Sequence, residues 1–193
     1  MSISETGIWL KRTFHQHDLG LKKLLVDEFN NTEQTFYDFG CGDAAYAKAL
    51  TDAGLSVECY DGNPATPKIT DGLGEVLDLT SDFEFTPRNW VICLEVGEHV
   101  PKEYESKLLD NITKHASTGV IMSWALPGQK GTGHVNLQTN DYIASQMRDR
   151  GFHTLSHFQQ RLRDSINTDK AKQEGMPLCV YFKHTLLAFR RGG

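Results

Sequence analysis

From position 35 onward, short apolar runs alternate with longer, more polar segments, each run closed by a turn signal, and this alternation constrains the fold more than any other feature of the chain. Short runs rich in β-branched and aromatic residues suit strands, and the longer segments between them suit helices. Strands are expected at T-F-Y-D-F (35–39), V-E-C-Y-D (57–61), E-V-L-D-L (75–79), W-V-I-C-L-E (90–95) and G-V-I-M-S-W (119–124). Helices are expected at 44–53, 102–115 and 140–150. Strand and helix in alternation build a parallel α/β sheet.

Boundary chemistry agrees with these spans. Asp43 is placed to cap the first helix, with Gly54 just past its end; Pro101 suits the first turn of the second; Asn140 or Asp141 caps the third and Gly151 closes it. Beyond Gly151 come F-H-T-L-S (152–156), a polar stretch (158–175) and a final strand at 184–190. Between Arg161 and Glu174 the stretch is charged all round, which reads as a solvated helix or excursion, with a substrate-side flap as the alternative. Leu19, Leu21, Leu24, Leu25 and Phe29 have helical spacing and predict an N-terminal helix packed on the sheet. Residues 1–193 read as one domain, with 1–34 a helical or lid segment and 35–193 the core.

Composition narrows the function. A net charge of −5 opposes a sequence-independent grip on a phosphate backbone, which needs clustered Lys and Arg. No apolar run approaches the ~20 residues that span a bilayer, and the start M-S-I-S-E-T-G has no secretory pattern, so a cytoplasmic location is expected. Cys41, Cys59, Cys93 and Cys179 lie far apart without a C-x-x-C pair and read as reduced core thiols.

The first strand ends in a glycine turn that opens a helix, Y-D-F-G-C-G-D-A-A (37–45). Gly40, Gly42 and Ala45 fit a dinucleotide-binding spacing. Asp38 and Asp43 flank the turn, however, so it makes a poor pyrophosphate cradle and a better one for a ligand carrying an ammonium and a sulfonium. Asp61, in Y-D-G-N-P beside Gly62 and Asn63, stands where α/β nucleoside sites bind ribose hydroxyls. Asp78, next to Leu79, is placed to accept from an adenine amine. Each aspartate alone is an ordinary turn or cap residue; three at successive strand tips form one crevice.

On D-F-G-C-G (38–42), Y-D-G (60–62), V-L-D-L (76–79) and E-V-G-E-H-V-P (95–101), the chain from about Thr35 to its end resembles the class I S-adenosylmethionine-dependent methyltransferases. The resemblance implies a Rossmann-like, seven-stranded, mostly parallel sheet with helices on both faces and an antiparallel last strand. It implies S-adenosylmethionine as cofactor, with Asp38, Gly40 and Gly42 under its methionine and ribose. Asp61, Gly62 and Asn63 would hold the ribose, Asp78 and Leu79 the adenine, and Glu95 would shape the donor pocket. Ala44 departs from the pattern, since many members carry a third glycine there. E-V-G-E-H-V-P together with the G-T-G-H-V-N of 131–136 looks like one subgroup of that family and supplies no substrate.

Methyl transfer needs an aligned nucleophile and, where required, a base. The loops after the fourth and fifth strands face the acceptor and carry Glu95, Glu98 and His99, then Gln129, His134 and Asn136. Pro101 keeps Val100 out of α geometry, so 95–100 is a turn. Gly128, Gly131 and Gly133 predict a mobile or sharply turned loop. Glu98 and His99 have three readings. One is metal-free acid–base work, with His99 or His134 as base and Glu98 orienting it. Another is a divalent metal site with Glu95, Glu98, His99 and His134, which resembles the E-x-x-E-H arrangement and later histidine of small-RNA ribose methyltransferases. The last is structural. Trp9, His15 and His17 are lid residues or, more simply, a packed ring and solvated imidazoles; Trp124 is a pocket wall or a core ring; Arg161 and Arg163 are a solvated face or an anion site.

The expected function is O-methylation of a small-molecule hydroxyl, with N-methylation next. A metal-assisted RNA ribose or cap 2′-O-methyltransferase is disfavoured by charge but open. From other classes, an NAD-dependent oxidoreductase is opposed by Asp38 and Asp43, and a non-catalytic donor-binding module stays possible on sequence alone.

Overall fold

The computed structural model describes residues 3–11 and 15–193. Helix α1 (Leu19–Phe29) precedes β1 (Thr35–Phe39), α2 (Ala45–Asp52), β2 (Ser56–Asp61), the single-turn α3 (Thr66–Ile69), β3 (Gly74–Val76) and β4 (Arg88–Cys93). Then follow α4 (Glu105–Lys114), β5 (Ala116–Ser123), α5 (Asn140–Asp149), β6 (Phe152–Thr154), α6 (Ser156–Asp164), the short α7 (Phe182–Thr185) and β7 (Leu186–Arg191). The strands form a seven-stranded sheet in the order β3-β2-β1-β4-β5-β7-β6. Pairings from β3 through β5 are parallel, and β7 runs antiparallel to β5 and β6.

Successive strand residues point to opposite faces, and both faces are buried. Tyr37, Val91, Cys93, Val120, Met122, Leu187 and Phe189 face Leu108, Leu109 and Ile112 of α4 and Ile143 and Met147 of α5. Their neighbours Phe36, Trp90, Ile92, Ile121, Leu186 and Ala188 face α1 through Leu21, Leu25 and Phe29, α2 through Leu50, and α6 through Phe158 and Leu162. This two-sided burial explains why the strands read as continuous apolar runs. No helix is long and apolar enough to cross a membrane, among the described residues.

Several local expectations are corrected. Asp43 does not cap α2: the cap position is Ala44, with no side-chain cap bond, while Asp43 accepts from the Ala45 amide at 3.3 Å. Thr139, rather than Asn140 or Asp141, caps α5 by accepting from the Tyr142 amide. The stretch read as charged all round hides an apolar stripe, because Phe158, Leu162 and Ile166 recur every fourth residue and the window began beyond Phe158. Past Asp164 the helix stops and Gln173 is fully buried. Arg161 pairs with Glu28, and Arg163 donates to the carbonyls of His184 and Leu186, so neither forms an anion site. Residues 182–185 are helical, which shortens the last strand to Leu186–Arg191. Trp124 is 1% exposed and donates to the Asn136 carbonyl, a core ring rather than a pocket wall.

Ala44 sits in the left-handed region at φ 59°, ψ 27°, which explains why glycine is favoured at this point of such turns. The αL penalty of roughly 1–2 kcal/mol exceeds the extra chain entropy that glycine loses on folding. Ala44→Gly is therefore expected to raise stability by about 0.5–1 kcal/mol, read as a higher urea midpoint at unchanged slope.

Candidate active site

β1 lies between β2 and β4, so connections leave its two sides in opposite directions and open a crevice at the sheet's carboxyl edge. A cavity of about 740 Å³ occupies that crevice, a volume within the range of small-molecule sites. Its walls come from the glycine turn, the tips of β2, β3 and β4, the loop after β5, the N-terminal strap (residues 3–11 and 15–17) and Tyr181–Phe182.

On one side stand the three aspartates. Asp61 accepts from the Gly42 amide at 3.0 Å and the Asn63 amide at 2.8 Å, so its carboxylate joins the turns after β1 and β2. The Asn63 side chain serves the protein: it donates to the Lys11 carbonyl and accepts from the Ala65 amide. Asp78 is engaged at both oxygens, by the amide and hydroxyl of Thr80 and by the hydroxyl of Thr6. Leu79 is buried beside it, and Gly40, Gly42, Gly62 and Glu95 also line the cavity.

Asp38 differs from its neighbours. It is 3% exposed, its Oδ2 has no hydrogen-bond partner among the described residues, and it borders the cavity. Burial pushes its pKa up to about 7, and Asp61 and Asp43 add repulsion. A buried acid with one oxygen left unpaired is complementary to a bound cation.

On the other side, Glu95 lies just past β4 with φ 55°, a strained geometry held by Ser123, whose hydroxyl accepts from the Glu95 amide and donates to its Oε1. Burial raises Glu95 to about 7 and pushes the neighbouring Glu98 well above the usual carboxylate range. Glu98 is fully buried, and neither of its oxygens has a hydrogen-bond partner among the described residues.

Its backbone carbonyl accepts from the amides of Val135 and Asn136, docking the loop after β5 onto the turn after β4. That contact brings His99 and His134 together, with ring centroids 5.1 Å apart. His99 Nδ1 donates to the Gly133 carbonyl at 3.1 Å and His134 Nδ1 to the Gln129 carbonyl at 3.3 Å. A carbonyl only accepts, so Nδ1 carries the hydrogen in each ring and, in the neutral form, the lone pair is on Nε2. Burial lowers the pKa of His99, and the His134 ring adds to the effect. One ligand atom each from Glu98, His99 and His134 can be chosen so that all lie within 4.8 Å of one another.

Sequence reasoning underrated the N-terminal strap. Ile3 and Trp9 form an antiparallel bridge, and Trp9 packs edge-on to His99 at 5.6 Å. A Cβ on Gly42 would meet the His15 ring at 2.5 Å, and one on Gly62 would meet Ile8 at 2.6 Å. The strap thus lies directly on the turns after β1 and β2, and His15 and His17 are cavity-wall residues. Tyr181, also on the wall, was missed; it sits in an apolar run with nothing in the pattern to mark it.

No family model matches the chain, and no curated protein is similar to it. Solved structures are. Magnesium protoporphyrin IX methyltransferase from Synechocystis PCC 6803, with bound S-adenosylhomocysteine, superposes with a TM-score of 0.64 at 18% identity over 93% of this chain and 90% of that one. A small-RNA methyltransferase gives 0.62 at 12% identity over 94% of this chain and 27% of its own. The N-methyltransferase NodS from Bradyrhizobium japonicum WM9, in complex with S-adenosylhomocysteine, gives 0.61 at 12% identity over 90% and 86%. The fold is the Rossmann-like class I methyltransferase fold.

Asp38 has a measurable consequence for the ligand-free protein. Its pKa is higher folded than unfolded, so the folded state binds the proton more tightly, and this contribution is lost as pH rises from about 4 to about 7. Asp38→Asn is expected to remove that part of the decline and to melt above the parent at pH 8, as followed by circular dichroism.

Proposed function

We propose that this chain is an S-adenosylmethionine-dependent methyltransferase acting on a small-molecule hydroxyl. The observation that carries the reading is Asp38, a buried carboxylate with a partnerless oxygen in the same cavity as Asp61, which already bridges the turns after β1 and β2. A fold of this kind hosts many activities, so the site and not the fold supports the reaction. A dinucleotide pyrophosphate would meet Asp38 and Asp43 at the glycine turn; the ammonium of an amino acid is attracted there.

When bound, S-adenosylmethionine supplies a methyl carbon activated by its sulfonium. Asp38 would hold the ammonium, Asp61 the ribose hydroxyls, and the Asp78–Leu79 turn the adenine edge. His99 keeps Nε2 free and its pKa low, so at neutral pH it is an unprotonated base able to take the proton of an acceptor hydroxyl. His134 offers the same atom in the adjoining loop. The strap and the loop after β5 wall the cavity around these groups, and closing them over a bound substrate would exclude water. An amine acceptor fits the same base, and N-methylation is the next choice.

One observation favours a second reading of the acceptor side. Glu98 is a buried acid whose oxygens have no hydrogen-bond partner among the described residues, a ring nitrogen of each of His99 and His134 lies within 4.8 Å of it, and both imidazoles are oriented by backbone carbonyls, the outer-shell pattern of metal-bound histidines. Glu98, His99 and His134 would hold a divalent cation, which would polarise the acceptor hydroxyl.

Calorimetry tests both readings. S-adenosylhomocysteine is expected to bind with one-to-one stoichiometry and NAD to give no heat; the reverse result removes the methyltransferase reading. Donor affinity is expected to weaken as pH falls below about 7, because protonated Asp38 no longer attracts the ammonium, and Asp38→Asn should abolish that dependence. Manganese titrated into the protein should bind at one site and be lost in both His134→Ala and Glu98→Gln; no binding, or binding insensitive to both variants, leaves metal-free base chemistry.

A further inference from the structure

The proposed donor reading assigns a group to the ammonium but none to the carboxylate at the same end of the ligand, and this inference rests on that reading. We propose that His17, on the strap, receives the carboxylate of the donor's amino-acid portion across the cavity from Asp38. Three features support the placement.

First, the ring is where it is needed. His17 borders the cavity, packs edge-on against Tyr46 in the first turn of α2 at 6.5 Å, and lies close enough to Asp43 of the glycine turn to feel its charge. It therefore stands at the glycine-turn end, away from Asp78 and the adenine side.

Second, its Nδ1 is buried and has no hydrogen-bond partner among the described residues. Buried polar atoms are nearly always paired, so an unpaired one on a cavity wall is an offer to a ligand. Asp38 Oδ2 is unpaired on the same cavity. Asp38, once ionised, only accepts, and His17 donates when Nδ1 carries hydrogen. Together they match a zwitterionic amino acid.

Third, the backbone on either side of the ring is held rigidly. The His17 carbonyl accepts from Gln173 Nε2 at 2.5 Å, and the Asp18 amide donates to the Tyr46 hydroxyl at 3.0 Å. The Asp18 carboxylate is fully buried, caps α1 through the Leu21 amide and accepts from the Asn167 amide. Gln173 also accepts from the Leu19 amide. The segment after α6 thus clamps residues 17–19, which gives its buried glutamine a purpose and presents the imidazole at a fixed position.

The test compares S-adenosylhomocysteine with its decarboxylated amine analogue, which keeps the nucleoside and ammonium and lacks only the carboxylate. Calorimetry of the full chain should show the parent protein preferring S-adenosylhomocysteine by about tenfold or more, as expected for a hydrogen bond to a charged group. His17→Ala and the more conservative His17→Gln should each lose most of that preference while binding the analogue as the parent does. Equal weakening of both ligands in both variants indicates a scaffold role and overturns the proposal, as does an unchanged preference. Failure of the parent to bind either compound strikes the donor reading instead, so the two claims fail separately.

Discussion

The carboxylate of Asp61 is the interaction on which the arrangement at the sheet's edge depends. Two backbone amides, of Gly42 and Asn63, converge on it from turns that follow different strands. The Tyr60 carbonyl, one residue earlier, accepts from the amides of Gly40 and Cys41, so β2 fixes the glycine turn from below as well. Hydrogen bonds to a charged acceptor contribute about 1.5–3 kcal/mol each, enough to hold the sharp turn at Gly40–Ala44 with its left-handed Ala44. A turn so anchored lines the cavity together with Asp38.

A second backbone junction organises the opposite wall. The Glu98 carbonyl, with two amides from the loop after β5, sets the spacing of His99 and His134, and Asn136 ties that loop on to Glu105 through its side chain. The strap spans both halves, touching Asp78 through Thr6, Gly62 through Ile8 and His99 through Trp9. Burial at the cavity wall is the shared cause of the raised pKa values of Asp38 and Glu95. Stability given up at these groups is recovered when a complementary cation arrives.

Much of this was legible in the sequence because period-two burial on a two-faced sheet leaves uninterrupted apolar runs. β1 was read to the residue, and the other core strands to within a few residues of their ends. Turn residues at strand tips pointed to the crevice at the sheet's carboxyl edge. Errors arose where tertiary contact overrides local chemistry. Asp43 has the composition of a cap, but the turn needs its backbone in a conformation that hands the cap position to Ala44. The 161–174 stretch looked solvated because its apolar stripe of Leu162 and Ile166 starts outside it, at Phe158, and its third buried side chain, Gln173, is polar. His17 and Tyr181 reach the cavity through long-range packing, for which no spacing rule exists. His99 and His134, 35 positions apart, meet through backbone carbonyls, of Glu98 toward the Val135 and Asn136 amides and of Gly133 toward the His99 ring, which no side-chain pattern records.

A crystal structure of the protein with S-adenosylhomocysteine tests the central claim most directly. The account predicts the ribose diol on Asp61, the adenine against Leu79, the ammonium on Asp38, and the sulfur directed toward the space beside His99 and His134. A nucleoside bound outside this cavity, or one whose amino-acid end points away from Asp38, would contradict it.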